Sequence, residues 1–272
     1  MNTKPCDDSD AISVQGMAPF LLDKGLADRI FVHPVLESTN KTAKQMAMSD
    51  AAHGTIIIAD SQTAGRGRRG RSFFSPRSRG IYMSLILHPA KLKLDMPTLI
   101  TSFAAVAVCE AVEVISAKKP RIKWVNDIFL EGKKICGILT EAVQGYETGS
   151  AQWIVVGIGI NFSTGAADFP EDLRQIAGAV FLDEKPACTR NRLVAEIANR
   201  MLAGPYDRAR MLAEYKKRVM MLGERIVVIG AAKTYEAVAV DIDEAGCLIV
   251  KKDDGQVALL SSGEISIRGA GN

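Results

Sequence analysis

An apolar run, Ile56-Ile57-Ile58-Ala59, opens directly onto Asp60-Ser61-Gln62-Thr63-Ala64-Gly65-Arg66-Gly67-Arg68-Arg69-Gly70-Arg71. Residues 65–71 hold four arginines and three glycines. Glycine lets the backbone take positive φ and approach a ligand closely. Arginine forks pair bidentately with carboxylate and phosphate. A strand that empties into such a loop is suited to holding an anion. Gly65 to Gly70 also spells G-x-G-x-x-G. A dinucleotide-binding loop, however, must open a helix whose N-terminus takes the pyrophosphate. Here Arg71-Ser72-Phe73-Phe74-Ser75-Pro76-Arg77 follows, with Pro76 and Gly80 as breakers and no helical period, so the fingerprint is a decoy. By itself the loop still allows a solvated basic segment, or a nucleic-acid patch with Phe73 and Phe74 as stacking platforms.

The remaining composition narrows this. A net charge of +3 over 272 residues makes the basic loop a local feature, not part of a globally cationic surface. With 47% hydrophobic residues the chain can bury one large domain, or one domain plus a small module. Cys6, Cys109, Cys136, Cys188 and Cys247 are odd in number, scattered and without a C-x-x-C pair, which fits a reducing cytoplasm. His33, His53 and His88 lack metal-site spacing. The first ten residues carry Asp7, Asp8 and Asp10 and no apolar core, unlike a signal peptide. The most apolar stretch, 99–108, is stopped by Glu110 and Glu113; it is too short to span a bilayer and reads as a buried helix.

Along the chain, residues 1–29 are polar and weakly patterned, as expected of a flexible leader. Ser38-Thr39-Asn40 precedes a helix over 41–49, with Ser38 or Thr39 as natural N-cap. Strands are expected at 55–59, 81–87, 121–130, 134–142 and 152–162, and helices at 97–117, 190–203 and 205–222. The mixture lacks a βαβ beat and argues an α+β fold with a mixed or mostly antiparallel sheet, spanning 30–221. From 222 to 272 five short strands (225–229, 236–242, 246–251, 256–260 and 264–267) alternate with turn signals such as Asp253-Asp254-Gly255 and suggest a small β-barrel.

A second polar constellation lies in Arg121-Ile122-Lys123-Trp124-Val125-Asn126-Asp127 and Lys133-Lys134-Ile135-Cys136-Gly137-Ile138-Leu139. A hairpin centred on Glu131-Gly132, with Gly132 at positive φ, sets 127 opposite 136 and 129 opposite 134. Asp127 and Lys134 then share one face. They can form a surface ion pair or a charge-handling pair at a reaction centre.

Together these residues resemble the biotin protein ligases. The 62–71 loop is similar to the family's adenylate-binding Gly/Arg loop, and Lys123-Trp124-Val125-Asn126-Asp127 to its Lys-Trp-Pro-Asn-Asp signature. Lys134-Ile135-Cys136-Gly137-Ile138-Leu139 resembles the strand with its lysine, and Ser38-Thr39-Asn40 and Gly157-Ile158-Gly159-Ile160-Asn161 match in the same order. The likeness covers about residues 30 to 268, with Val125 where the family usually has proline.

The resemblance implies a class II synthetase-like sheet flanked by helices and an SH3-like C-terminal barrel. It also implies ATP-dependent transfer of biotin, through biotinyl-5′-AMP, to a lysine of a biotin carboxyl carrier domain, with Mg²⁺ accompanying ATP. Lys134, Arg68 and Asp127 would be catalytic. Ser38, Thr39, Asn40, Gln62, Gly65, Arg66, Gly67, Arg68, Trp124, Lys134 and Gly137 would contact biotin. Arg66, Arg68, Arg71, Lys123, Asn126, Lys134 and Asn161 would contact ATP or the adenylate, with Mg²⁺ near Asn126 and Asp127 and no metal held by protein ligands alone. The leader is too short and polar for a winged helix, so the resemblance implies the type without a DNA-binding domain, with no specific DNA and no membrane partner. Homodimerisation through an exposed sheet edge is compatible with it. The alternatives are a lipoate or octanoate ligase of the same superfamily, and a nucleic-acid-binding protein.

Overall fold

The computed structural model describes residues 10–92, 97–144, 151–202, 206–229, 234–261 and 264–267. Positions 1–9 of the expected leader, Cys6 included, and the tail 268–272 lie outside them.

Seven strands form the main sheet: β1 (Ile30–His33), β2 (Thr55–Ala59), β3 (Gly80–Leu87), β4 (Arg121–Lys123), β5 (Asp127–Leu130), β6 (Lys133–Gln144) and β7 (Ala151–Asn161). Their order is β1-β2-β3-β7-β6-β5-β4, with β1 and β2 parallel and the other pairs antiparallel. This is the mixed α+β sheet the sequence predicts. The expected single strand over 121–130 is instead two antiparallel strands, because Trp124-Val125-Asn126 turns back on itself so that Lys123 pairs with Asp127. The Trp124–Val125 peptide is cis.

Among the described residues there are six α-helices: α1 (Val14–Met17), α2 (Thr39–Met48), α3 (Pro89–Leu92), α4 (Pro97–Ser116), α5 (Arg190–Leu202) and α6 (Arg208–Arg218). Strand alternation divides the interior. Ile56 and Ile58 of β2, Met83 and Leu85 of β3, and Ile158 and Ile160 of β7 face the large core shared with α4, α5 and α6. Ile57, Ile86 and Val155 face a second cluster closed by Ala43 and Ala47 of α2. At 20 residues α4 is long and apolar enough to cross a membrane, so length does not exclude a span as the shorter stretch suggested. Most of it is buried inside the protein, as a core helix should be.

The flexible-leader expectation is corrected for residues 10–29. Met17, Leu21 and Leu26 are buried in the main core. Arg190, 2% exposed, hydrogen-bonds both carboxylate oxygens of Asp10, the Asp10 carbonyl, Asp60 and the Gly80 carbonyl. Asn191 holds Ser13 and Ala11. The three buried positions do not stand out among the segment's other apolar residues, such as Ile12, Phe20 and Leu22, and the segment is docked by contacts to α5, about 180 residues away.

Five C-terminal strands, β8 (Arg225–Ile229), β9 (Thr234–Ile242), β10 (Leu248–Lys251), β11 (Val257–Leu260) and β12 (Glu264–Ile267), form an antiparallel sheet ordered β11-β10-β9-β8-β12. Ile226, Ala237, Ala239, Leu248 and Val250 join the main core. The Trp124 indole N–H donates to the Gly246 carbonyl, fastening this module behind the β4–β5 turn. At the main sheet's ends, β4 is covered by a backbone bridge from Ile122 to Val219, while β1 carries a half-exposed Phe31 on the other edge.

Candidate functional site

A cavity of about 170 Å³ opens on the α2 face of the sheet. Its floor follows from alternation. In β7, Ile158 and Ile160 fill the core, so Gly157 and Gly159 lie on the other face. A Cβ at Gly159 would meet the Phe73 ring at 2.7 Å, and one at Gly157 the Asn40 amide oxygen at 2.0 Å. The absent side chains admit Phe73 and Asn40 onto the sheet.

The expected 127–136 register needs correction. Phe129 does face Lys134 and Ile128 faces Cys136, but Asp127 faces Gly137, with a bulge at Ile135. One extra residue reverses which alternate positions face the cavity. Lys134 and Gly137 therefore both line it, although their spacing in a regular strand would separate them. Glu131 and Gly132 both take positive φ at the turn. Lys134 Nζ lies 2.7 Å from Asp127 Oδ1. The contact is an ion pair between two partly solvated side chains.

The arginine loop forms the cover. An Arg66–Ser72 bridge and the Gly67 N–H donating to the Arg71 carbonyl (2.7 Å) close it into a small hairpin. Arg69 and Gly70 take positive φ at its tip. Arg68 to Gly70 make a single 3₁₀ turn and no α-helix follows, so the dinucleotide fingerprint is indeed a decoy. Arg68 reaches the Asn126 amide oxygen at 3.0 Å, and Arg66 lies 3.7 Å from Glu37. Behind the loop, a Cβ at Gly65 would fall 2.5 Å from the Phe73 carbonyl, so Gly65 is packed under the cavity wall and does not line it.

The opposite wall is a hydrogen-bonded chain. Ser38 is the N-cap of α2 by position but its side chain makes no capping bond, and it faces the cavity. The Thr39 N–H donates to Gln62 Oε1 (2.8 Å), and Gln62 Nε2 donates to Ser75, whose hydroxyl donates to the Phe73 carbonyl. The hydroxyls of Thr39 and Ser84 are 2.8 Å apart, and Ser84 donates to Asn40 Oδ1 at 2.6 Å. The Asn40 amide donates to Glu141 Oε2 (2.9 Å) and to the Leu139 carbonyl. Glu141 is ion-paired with Lys44.

Of the predicted residues, Ser38, Thr39, Asn40, Gln62, Arg66, Gly67, Arg68, Arg71, Lys123, Trp124, Asn126, Asp127, Lys134 and Gly137 converge on this cavity. Asn161 does not: its buried amide donates to the Gly178 carbonyl and ties the end of β7 to the following loop. Asn126 is committed too, donating to the Ile138 carbonyl while accepting from Arg68. Trp124 is 3% exposed and serves as both wall and core. Sequence reasoning did not single out Arg69, Ser72, Tyr82, Ser84 or the two β7 glycines as site residues. The alternating Gly157-Ile158-Gly159-Ile160 was the available signal for the glycines. Tyr82 and Ser84 belong to a strand buried at every position, where nothing in the pattern marks them. Burial pushes the Tyr82 phenol up, and its hydroxyl donates to the Pro76 carbonyl, so it anchors the loop's exit as a neutral group.

The model of the biotin/lipoate A/B protein ligase family matches residues 32–161, and that of the biotin protein ligase C-terminal domain matches 221–268. A biotin–[acetyl-CoA-carboxylase] ligase of Paracoccus denitrificans is 30% identical over 237 residues, 81% of this chain and 93% of that protein. The chain belongs to the biotin protein ligase family. The bifunctional ligase/repressor BirA of Bacillus subtilis is 42% identical over 152 residues, 56% of this chain and 46% of its own length. The match thus spans about half of that protein's length. Biotin protein ligase from Aquifex aeolicus, solved with biotin and ATP, superposes with a TM-score of 0.73 at 24% identity, covering 88% of this chain and 98% of that one, and shares the fold.

Proposed function

We propose that this chain is an ATP-dependent biotin–protein ligase that biotinylates a lysine of a biotin carboxyl carrier domain. The observation carrying this reading is the convergence on one cavity of a cationic loop, the Lys134–Asp127 pair and a neutral hydroxyl–amide wall.

Adenylation brings two anions together. A biotin carboxylate oxygen attacks the α-phosphorus of ATP, a P–O bond breaks, and pyrophosphate leaves. Fixed cations must neutralise the charge that develops. Lys134 and Arg68 stand there, Lys134 oriented by Asp127 and Arg68 by Asn126. Ser38, Thr39 and Gln62 read the ureido group without burying a charge. In the second step the lysine nitrogen attacks the acyl carbon, AMP departs, and the nitrogen loses a proton. Asp127, whose carboxylate lines the cavity beside Lys134, is the available acceptor. The glycine-punctuated loop closes over the adenylate and excludes water.

Mg²⁺ would arrive with ATP and neutralise phosphate charge. Asp127 fits it as one oxygen ligand. Asn126 offers one remaining lone pair on the amide oxygen that also accepts from Arg68, its nitrogen donating to the Ile138 carbonyl. Among the described residues there is no cluster of three metal-ligating side chains, so the phosphates would supply the other ligands. The described cysteines, Cys109, Cys136, Cys188 and Cys247, are all free thiols, which supports a cytoplasmic setting. We assign the β1 edge to carrier docking or self-association.

Intact-mass analysis of an apo carrier domain incubated with the protein, Mg-ATP and biotin tests the function. A gain of one biotinoyl group, dependent on ATP, is expected. An adduct with lipoate or octanoate on a lipoyl-type domain, and none with biotin, would transfer the chain to that branch of the family.

A further inference from the structure

We infer that Glu141, outside the cavity lining, is a positioning residue that sets the hydrogen-bond polarity of Thr39 inside it; this rests on the biotin ligase reading. An ionised carboxylate can only accept hydrogen bonds. Glu141 Oε2 therefore takes the Asn40 amide N–H at 2.9 Å, and the Leu139 carbonyl takes the other at 3.3 Å. Both contacts fix the Asn40 amide, leaving its Oδ1 toward Ser84 as an acceptor. Ser84, 0% exposed, has one proton, and the 2.6 Å contact to Asn40 uses it. Ser84 is then an acceptor toward Thr39 at 2.8 Å, and Gln62 Oε1, 3.2 Å from the same hydroxyl, is a second one. With its proton turned to Ser84 or Gln62, the Thr39 oxygen faces the cavity as an acceptor, matched to an N–H such as a ureido group carries. Gly157 is part of the device, since a Cβ there would meet Asn40 Oδ1 at 2.0 Å. Lys44 is ion-paired with Glu141 on the side away from Asn40.

A double-mutant cycle on biotin-dependent ATP–pyrophosphate exchange tests this. Glu141→Leu removes the acceptor at similar volume, and Ser84→Ala breaks the relay. Each should raise KM for biotin about fivefold to tenfold, the range of one hydrogen bond, with kcat and KM for ATP within about twofold of wild type. The double variant should be no worse than the weaker-binding single variant, because both act on Thr39 through one relay. Lys44→Met, which leaves the acceptor in place, should move KM little. A double variant whose KM is the product of the two singles, an unchanged KM in Glu141→Leu, or a fall in kcat with KM unmoved would each overturn the assignment. If Glu141→Leu loses its fold by circular dichroism, Glu141→Ala, which also removes the acceptor, decides in the same cycle. Absence of exchange in the wild type would instead defeat the ligase reading itself.

Discussion

Lys134 and Asp127 meet at 2.7 Å because a bulge at Ile135 lets Lys134 and Gly137 share the cavity face of one strand. Both side chains are partly solvated, so the pair adds only about 0–1 kcal/mol to stability. Its position over the cavity floor is the better reason for its presence.

Lys134→Ala should therefore lower biotin-dependent pyrophosphate exchange by about a hundredfold or more, as expected when a preorganised charge is removed. Melting temperature should shift little. Near-normal exchange would take Lys134 out of the reaction centre.

Arg68 is tethered to Asn126 on the strand turn. Arg68→Gly should accelerate release of the biotinyl-adenylate more than it slows its formation. Asn126→Ala should show a weaker form of the same defect. Stopped-flow release of the intermediate at an unchanged rate in Arg68→Gly would count against the cover role.

Gly159→Ala places a methyl group 2.7 Å from the Phe73 ring. The ring must move off the floor, and KM for biotin should rise about tenfold, in line with overpacking costs of about 1–3 kcal/mol. Equilibrium dialysis showing wild-type biotin affinity would mean that Phe73 relocates freely.

Arg190→Met leaves Asp10 and Asp60 without their shared cation. Chemical unfolding should show a loss of about 3 kcal/mol at neutral pH, the usual scale for breaking a buried pair. Burial raises the Asp60 pKa, but the Arg190 hydrogen bond and charge, with Ser78 and Arg77, outweigh it and hold the carboxyl below its ordinary range. A depressed folded pKa contributes stability above the unfolded value, near about 3.9, and loses it as pH falls through the folded one. The gap between wild type and variant should narrow on acidification below about pH 4. A constant gap would show that Arg190 acts by packing alone.

Much of the site was legible along the chain because its chemistry is local. The arginine loop, Lys123 to Asp127, and Lys134 to Leu139 each carry their charges within a dozen residues, and their types follow from the anions they handle. The sheet strands were legible because β-branched runs bounded by turns have few other uses. Asn161 shows where this reasoning failed. It stands in a sequence that matches the family, yet its amide is committed to Gly178, a partner no local pattern indicates.

The sequence by itself determined the α+β composition, the cationic loop that no helix follows, and the hairpin that turns at Glu131-Gly132, since all three depend on backbone preferences and near neighbours. Only the tertiary structure decided the bulge that turns Lys134 and Gly137 to one side, the docking of residues 10–29 through Arg190, and the chain from Glu141 to Thr39. Those features join atoms up to about 180 residues apart, and their geometry is set by packing and by the requirement that buried polar groups find partners.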